Sequence, residues 1–104
     1  MFKRKRYDYD LIVIGSGSSG SVGAHFATSL GKKVALFEKG KIGGECPNFA
    51  CVPTKALLAA AELYENIQNS RTFGINVKGV SVDYLHVKKW KDLVVSRTGA
   101  AQGE

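Results

Sequence analysis

An α/β fold containing a parallel sheet is predicted from two short apolar runs and the helical segment between them. The first run, Asp10-Leu-Ile-Val-Ile-Gly15, is continuously apolar, β-branched and closed by glycine. This profile is typical of a strand buried on both faces, as in a parallel sheet. The second run, Lys33-Val-Ala-Leu-Phe-Glu38, has the same character. The two runs are therefore predicted to be neighbouring parallel strands.

The segment between the runs is predicted to form a helix from Ser18 to Leu30. Val22, Phe26 and Leu30 recur at i, i+4 and i+8, which places them on one apolar stripe. Gly31 follows at the position where helices commonly end. Strand, helix and strand within residues 10–38 make a right-handed βαβ unit, to which we assign residues 9–39.

Two more helices are expected downstream. One runs from Cys51 to about Ser70, because Pro53 is tolerated in a first helical turn and strong helix formers follow it. Residues 73–82 resemble a loop with a short extended piece. The last helix spans about Asp83 to Arg97, with Asp83 as its N-cap. We assign residues 43–71 to the cysteine loop and the helix that follows it, and residues 83–98 to the last helix.

The predicted sheet is incomplete. Two buried parallel strands need further strands beside them and helices on both faces. The sequence ends at Gly-Ala-Ala-Gln-Gly-Glu before a third strong strand. The simplest interpretation is the first part of a larger protein, and the alternative is a small domain completed by a partner.

Composition excludes several classes of protein. With 44% hydrophobic and 23% charged residues, the chain is expected to be globular, neither disordered nor membrane-embedded. The basic start resembles that of a signal peptide, but the apolar stretch after it is too short, so a cytoplasmic protein is expected. The net charge of +6 lies partly in the basic tail, residues 1–8. No aromatic-interleaved basic stripe is present, so no nucleic-acid partner is expected.

A glycine fingerprint joins the first strand to the first helix. Gly15-Ser-Gly17-Ser-Ser-Gly20 follows a predicted strand and opens a helix, which is the context that gives this motif meaning. Gly15 permits the tight turn, Gly17 lets the backbone approach a pyrophosphate, and Gly20 lets helix and strand pack closely. The phosphates would lie on the helix N-terminus. A Rossmann-like dinucleotide-binding unit is therefore predicted.

Glu38 extends this pattern to the end of the second strand. A carboxylate there can accept hydrogen bonds from a ribose 2′-OH, and it would repel a 2′-phosphate. Ala24, four residues after Gly20, keeps the helix close to the sheet. An adenosine diphosphate without a 2′-phosphate is the expected ligand.

The two cysteines, Cys46 and Cys51, lie just after the βαβ unit. In a cytoplasmic protein the pair could serve redox catalysis, bind a metal or be two buried thiols. Metal binding would need more ligands, and neither His25 nor His86 is near in sequence, so no metal site is expected. A disulfide requires a break in helix geometry, because five helical steps rise about 7.5 Å and bridging tolerates roughly 7 Å between Cα atoms.

Both prolines near the cysteines are expected to disrupt regular helix. Pro47 lacks an N–H group, and Pro53 disfavours helical geometry at Val52. Cys51, at or near a helix start, is expected to have a lowered thiolate pKa because of the helix dipole.

These motifs together resemble the class I pyridine nucleotide-disulfide oxidoreductase family, specifically the N-terminal part of its FAD-binding domain. The resemblance rests on the fingerprint, on Glu38 and on the pattern Gly-Gly-x-Cys-x4-Cys-Val-Pro-Thr-Lys, and it is close over residues 9–58. Ala50, Pro47 and Glu45 depart from the residues that many members have there. The departures leave the natural substrate open.

The resemblance implies roles for individual residues. FAD would be held at its pyrophosphate, its adenosine ribose and its diphosphate arm. Cys51 would be the thiol nearest the flavin ring, forming the charge-transfer and adduct species, and Cys46 the interchange thiol that reacts with substrate. Lys55 would lie near flavin N5. The expected cofactor-binding residues are Gly15, Gly17, Ser18, Ser19, Gly20, Glu38, Lys39, Gly44, Glu45, Cys46 and Lys55.

The implied activity passes electrons from NAD(P)H through FAD to the cysteine pair and on to a small-molecule or protein disulfide. The full-length enzyme would be a homodimer with NAD(P)-binding and dimerisation domains that are absent here, so this chain alone is expected to be inactive. Two alternatives remain: a flavin protein that uses another electron route, and a remnant that keeps the fold without FAD. A truncated, inactive flavin-binding module is the runner-up interpretation.

Overall fold

The computed structural model describes residues 6–100. In chain order its elements are β1 (Leu11–Ile14), α1 (Ser18–Ser29), β2 (Val34–Phe37), α2 (Glu45–Asn48), α3 (Cys51–Gln68), a 3₁₀ turn (Ser70–Phe73) and α4 (Tyr84–Ala100). The predicted α/β class is confirmed: two parallel strands are joined by a helix, and further helices follow. Residues 75–83 are irregular.

β1 and β2 pair in parallel with a register that places Leu11 opposite Val34 and Ile14 opposite Phe37. Asp10 closes the start of the ladder, because its N–H donates to the Lys33 carbonyl and its carboxylate accepts from the Lys33 N–H, both at 2.8 Å. The ladder therefore begins one residue before β1.

α1 packs against both strands with its small residues. Ser21, Ala24 and Ala27 recur at i, i+3 and i+6 and are half-buried. The apolar stripe of Val22 and Phe26 lies on the outer side of the helix, where these side chains are 69% and 64% exposed. Small residues occupy the inner side because the helix lies very close to the sheet.

The prediction of strands buried on both faces is wrong for the residues described. Ile14 is 88% exposed and Phe37 is 60% exposed. α1 is the helix that packs on both strands, and within residues 6–100 the sheet has no third strand. Hydrophobic β-branched runs are typical of central strands, but burial requires layers that these residues do not contain.

α3 and α4 pack against each other, and α4 also contacts α2. The N-cap prediction for α4 is confirmed, since the His86 N–H donates to the Asp83 carboxylate at 3.1 Å. α3 ends two residues before the predicted boundary, and α4 continues three residues beyond it. Ala56 of α3 is buried.

The molecule is elongated, with extents of 82 × 26 × 17 Å and a radius of gyration of 21.8 Å. A compact domain of about 100 residues has a radius of gyration of about 13 Å. Among residues 6–100, no helix has the length and apolar character that crossing a lipid bilayer requires.

Candidate functional site

The glycine fingerprint forms the turn between β1 and α1. Gly15 continues the ladder, since its N–H donates to the Phe37 carbonyl at 2.7 Å. Its φ of +96° then turns the chain through a region that side chains with a Cβ rarely adopt. Gly17 follows as the N-cap residue of α1. The turn therefore delivers the chain directly from the sheet edge into the start of the helix.

The N-terminus of α1 has free backbone donors. Its first helical hydrogen bond runs from the Ser21 N–H to the Gly17 carbonyl at 2.9 Å, so the N–H groups of Ser18, Ser19 and Gly20 have no partner within the helix. No side chain caps this end, and the first turn contains no acidic residue. An anion placed here would meet free N–H groups and the positive end of the helix dipole, with no competing carboxylate from that turn.

Gly20 sits at the closest approach between α1 and β1. A Cβ added to it would overlap the carbonyl oxygen of Gly15 and would lie 3.3 Å from the Val13 Cγ1 atom. The first of these neighbours is backbone and cannot rotate away. This contact explains why small residues of α1 face the strands.

Glu38, directly after β2, is turned toward the fingerprint. Its Oε2 atom accepts from the Ser16 N–H at 2.8 Å and from the Ser16 hydroxyl at 2.7 Å, and its Oε1 atom accepts from the Gly40 N–H at 2.8 Å. The Ser16 N–H, followed by the Ser16 hydroxyl and the Gly40 N–H, lowers the pKa of Glu38 to about 2. The side chain is thus an anion at any ordinary pH, and it can only accept hydrogen bonds.

A cleft of about 460 Å³ opens at the carboxyl ends of the two strands. It is lined by Ile14, Gly15, Phe37, Glu38 and Lys39. A carboxylate offers about four acceptor positions, and the described residues use three of those of Glu38. Glu38 thus presents an ionised carboxylate, which can only accept hydrogen bonds, at the edge of the cleft.

Ser16 is the site residue that the sequence analysis missed. It is 1% exposed, and its hydroxyl accepts from the Gly43 N–H at 3.0 Å while donating to Glu38. The Ser21 hydroxyl donates to the Ser16 carbonyl at 2.5 Å. Ser16 stands at a variable position of the glycine motif and its partners are distant in sequence. No local pattern could have identified it.

Cys46 and Cys51 form a disulfide with their Cα atoms 4.6 Å apart. The predicted break in helix geometry is present, because α2 ends at Asn48 and α3 begins at Cys51. Ala50, with φ of −120° and ψ of −87°, is the non-helical residue before α3. Cys46 is half-buried and Cys51 is exposed.

The expected role of the prolines in this break is wrong. Pro47 lies in the first turn of α2, where it is buried, and Pro53 lies in the first turn of α3. Val52, which Pro53 was expected to displace from helical geometry, is inside α3. A first turn tolerates proline because its N–H groups have no helical partner. The break falls instead at Phe49 and Ala50, after the last residue of α2.

The loop before the disulfide is packed on the fingerprint. A Cβ added to Gly44, whose φ is +71°, would lie 2.9 Å from the Gly17 Cα atom. The Asn48 side-chain amide donates to the carbonyls of Ile42 and Gly44 at 2.9 and 2.8 Å. These contacts bring the disulfide segment and the N-terminus of α1 into one site.

The remaining predicted site residues lie near the N-terminal ends of α2 and α3. Glu45 is the first residue of α2, and Lys55 lies one turn after Cys51 on α3; both side chains are exposed. Residues 6–100 contain no group of three or more His, Cys, Asp or Glu side chains that could hold a metal ion.

Comparisons with known proteins agree on one family. The family model described as pyridine nucleotide-disulphide oxidoreductase matches residues 9–102. Proteins named dihydrolipoyl dehydrogenase are similar to the chain: the one from Geobacillus stearothermophilus is 41% identical over 95 residues, which is 90% of this chain and 20% of that protein. Another, from Bacillus subtilis (strain 168), is 44% identical over 95 residues, again 90% and 20%.

A third relative with the same name, from Chlamydia muridarum, is 45% identical over 87 residues, which is 84% of this chain and 19% of that protein. The chain thus spans about a fifth of the length of the curated relatives that it matches. The matched region contains the fingerprint, Glu38 and both cysteines. The chain belongs to the pyridine nucleotide-disulphide oxidoreductase family.

Proposed function

We propose that the chain forms the FAD- and dithiol-bearing part of an NAD(P)H-dependent disulfide oxidoreductase. The observation that supports this most is the packing of Gly44 on Gly17, which brings a disulfide beside a ready anion-binding helix end. Electron transfer between a bound flavin and the cysteine pair requires the dinucleotide-binding turn and the cysteine segment to lie close together. The NAD(P)H donor, the homodimer and the disulfide acceptor are proposals for the whole protein.

The residues present fit FAD at both ends of its adenosine diphosphate. The free N–H groups of Ser18, Ser19 and Gly20 suit the pyrophosphate, and Gly17 offers an approach without a side chain. The Glu38 carboxylate, which lines the cleft, suits a ribose hydroxyl, with Lys39 beside it. Gly44 and Glu45 would lie beside the diphosphate arm, and Lys55 near the flavin. When bound, FAD supplies the two-electron chemistry that protein side chains lack.

The cysteine pair would carry the electrons to the substrate by thiol–disulfide exchange. Starting from the dithiol, the Cys46 thiolate attacks one sulfur of the substrate disulfide and releases the other as a thiolate, which takes a proton. The Cys51 thiolate then attacks Cys46 Sγ, which re-forms the protein disulfide and releases the second substrate thiol. Two electrons and two protons reach the substrate, and NAD(P)H must supply the next pair.

Cys51 suits the second step because of its position. As the first residue of α3, an 18-residue helix without a side-chain cap, it lies where the helix dipole stabilises a thiolate. Cys46 lies in the short helix α2, five residues before it. The same asymmetry makes Cys51 the thiol that we place nearest the flavin.

A second candidate is an inactive flavin-binding module. It needs the glycine fingerprint and Glu38, which the described residues contain, but not the exchange chemistry of the cysteines. The two candidates predict the same flavin binding and differ only in turnover with NAD(P)H and a disulfide substrate.

The test is reconstitution of the chain with FAD, followed by reduction with two electrons. We expect a yellow protein and long-wavelength charge-transfer absorbance. Cys51→Ser should abolish that absorbance, whereas Cys46→Ser should leave it present or enhanced. Thr28→Ala, at the far end of α1, is the matched control. The opposite result for the two serine variants would overturn the assigned roles, and a colourless wild-type protein would count against FAD binding.

A further inference from the structure

Ser16 joins the two halves of the candidate site. Its hydroxyl lies between the Glu38 carboxylate, 2.7 Å away, and the Gly43 N–H group, 3.0 Å away. Glu38 belongs to the cleft at the ends of the strands, whereas Gly43 begins the loop that leads to Cys46. A single buried side chain therefore contacts both.

The direction of these hydrogen bonds is fixed by chemistry. The Gly43 N–H can only donate and the ionised Glu38 carboxylate can only accept, so the Ser16 hydroxyl must accept from the first and donate to the second. Hydrogen bonds aligned in this way polarise one another, and those to a charged group are the stronger kind. Ser16 is 1% exposed, so water cannot replace its hydroxyl without rearrangement.

We propose that Ser16 is a positioning residue, which holds Glu38 for the ribose hydroxyl and holds the Gly43–Gly44 turn for the redox loop. This inference rests on the proposed function for its ligand, although its geometry does not depend on one. The backbone N–H of residue 16 can contact Glu38 whatever its side chain, so alanine would keep one of the three contacts. Only the hydroxyl joins Glu38 to Gly43.

The proposal distinguishes two ligands. ADP needs the α1 N-terminus and Glu38, whereas inorganic pyrophosphate needs the helix N-terminus alone. In Ser16→Ala, Glu38 loses the hydroxyl donor but keeps the N–H groups of residue 16 and Gly40. ADP binding should therefore weaken by up to about tenfold, as the loss of one charge-assisted hydrogen bond implies. Pyrophosphate binding should not change. A general loosening of the fold would instead weaken the binding of both ADP and pyrophosphate.

Two further readouts need no ligand. In the wild-type chain, amide hydrogen exchange at Gly43 should be slow, because its N–H donates to the buried Ser16 hydroxyl, and ¹³C NMR should show the Glu38 carboxyl titrating below the ordinary range of a glutamate. In Ser16→Ala, exchange at Gly43 should accelerate about tenfold and the Glu38 pKa should rise. Ser16→Thr, which keeps the hydroxyl, should retain both properties. Ser29→Ala, which changes an exposed serine at the far end of α1, is the control.

The outcomes separate this proposal from the proposed function. If wild-type protein binds neither ADP nor FAD, the proposed function fails, while Gly43 exchange and Glu38 titration still decide the positioning role. Unchanged exchange and titration in Ser16→Ala would overturn the inference. So would rapid Gly43 exchange or ordinary Glu38 titration in the wild-type protein, a result that needs no variant to fold.

Discussion

Replacing Gly20 by alanine tests how closely α1 must approach β1. The added methyl group would overlap the Gly15 carbonyl oxygen and would lie 3.0 Å from the carbonyl carbon, so the helix must move away from the strand. Overpacking of this kind costs about 1–3 kcal/mol. Alanine also stabilises a helix by up to about 1 kcal/mol relative to glycine. With a propensity gain of about 1 kcal/mol, we therefore expect a net loss of up to about 2 kcal/mol in the free energy of unfolding.

Gly23 provides the matched control on the same helix. A Cβ added there meets no atom within 4 Å, so Gly23→Ala should show only the gain in helix propensity, up to about 1 kcal/mol. Because the gain in helix propensity is common to both, the two alanine variants should differ by the overpacking cost alone, about 1–3 kcal/mol, with Gly20→Ala the less stable. Gly20→Ala should also weaken FAD binding, since it displaces the helix end that would hold the pyrophosphate.

Urea unfolding followed by far-ultraviolet circular dichroism measures the stability difference, and quenching of flavin fluorescence measures the affinity. If both variants were stabilised equally, α1 would not lie as close to β1 as described. The close approach of α1 to β1 would then no longer explain why small residues lie on the inner side of the helix.

Three further predictions concern Glu38, Asp83 and the Gly44 turn. Because the folded pKa of Glu38 is lowered to about 2, its contribution to stability is complete above its unfolded pKa, about 4.3, and is lost as pH falls through the folded value. The stability difference between wild type and Glu38→Gln should therefore be constant above about pH 5 and vanish near pH 2; a constant difference down to pH 2 would contradict it. Asp83→Ala should cost about 1 kcal/mol of stability by circular dichroism, and Asp83→Asn much less, because only alanine removes the cap. Gly44→Ala and Gly79→Ala both place a Cβ at positive φ, at a cost of about 1–3 kcal/mol each. Only Gly44→Ala also meets a neighbour, so equal unfolding midpoints for the two would argue against the packing of Gly44 on the fingerprint.

Local signals in the sequence were sufficient for the βαβ unit. The two apolar runs and Gly31 place the strand and helix boundaries within one or two residues, because periodicity and helix termination depend on near neighbours. The N-cap of α4 is local in the same way, since Asp83 contacts the backbone three residues later. The break between the cysteines followed from chain geometry, although not at the expected residues.

What the sequence could not supply depends on contacts between distant residues. The face of α1 that packs on the strands is determined at Gly20, where there is no room for a Cβ atom. The larger side chains of Val22 and Phe26 therefore face outward, although they form the stronger hydrophobic pattern in the sequence. The hydroxyl of Ser16 meets partners 22 and 27 residues away. Neither the close approach at Gly20 nor the hydrogen bonds of Ser16 produce a periodic pattern in the sequence. Both require the paths of the loop and the strand to be known.

The spacing of the cysteines has a consequence for the energetics of reduction. Cys46 and Cys51 are separated by five positions, so their bond closes a very short loop. In the chain-entropy model such a loop restricts the unfolded chain by only about 2 kcal/mol, against about 4.7 kcal/mol for a loop of 100 residues. Opening this bond therefore releases little chain entropy. For a chain of this size, about 2 kcal/mol corresponds to a melting temperature that is lower by roughly 8–16 °C in the reduced protein. This is less than half of the effect expected for a 100-residue loop, so repeated cycling between the two states would not require the fold to be rebuilt.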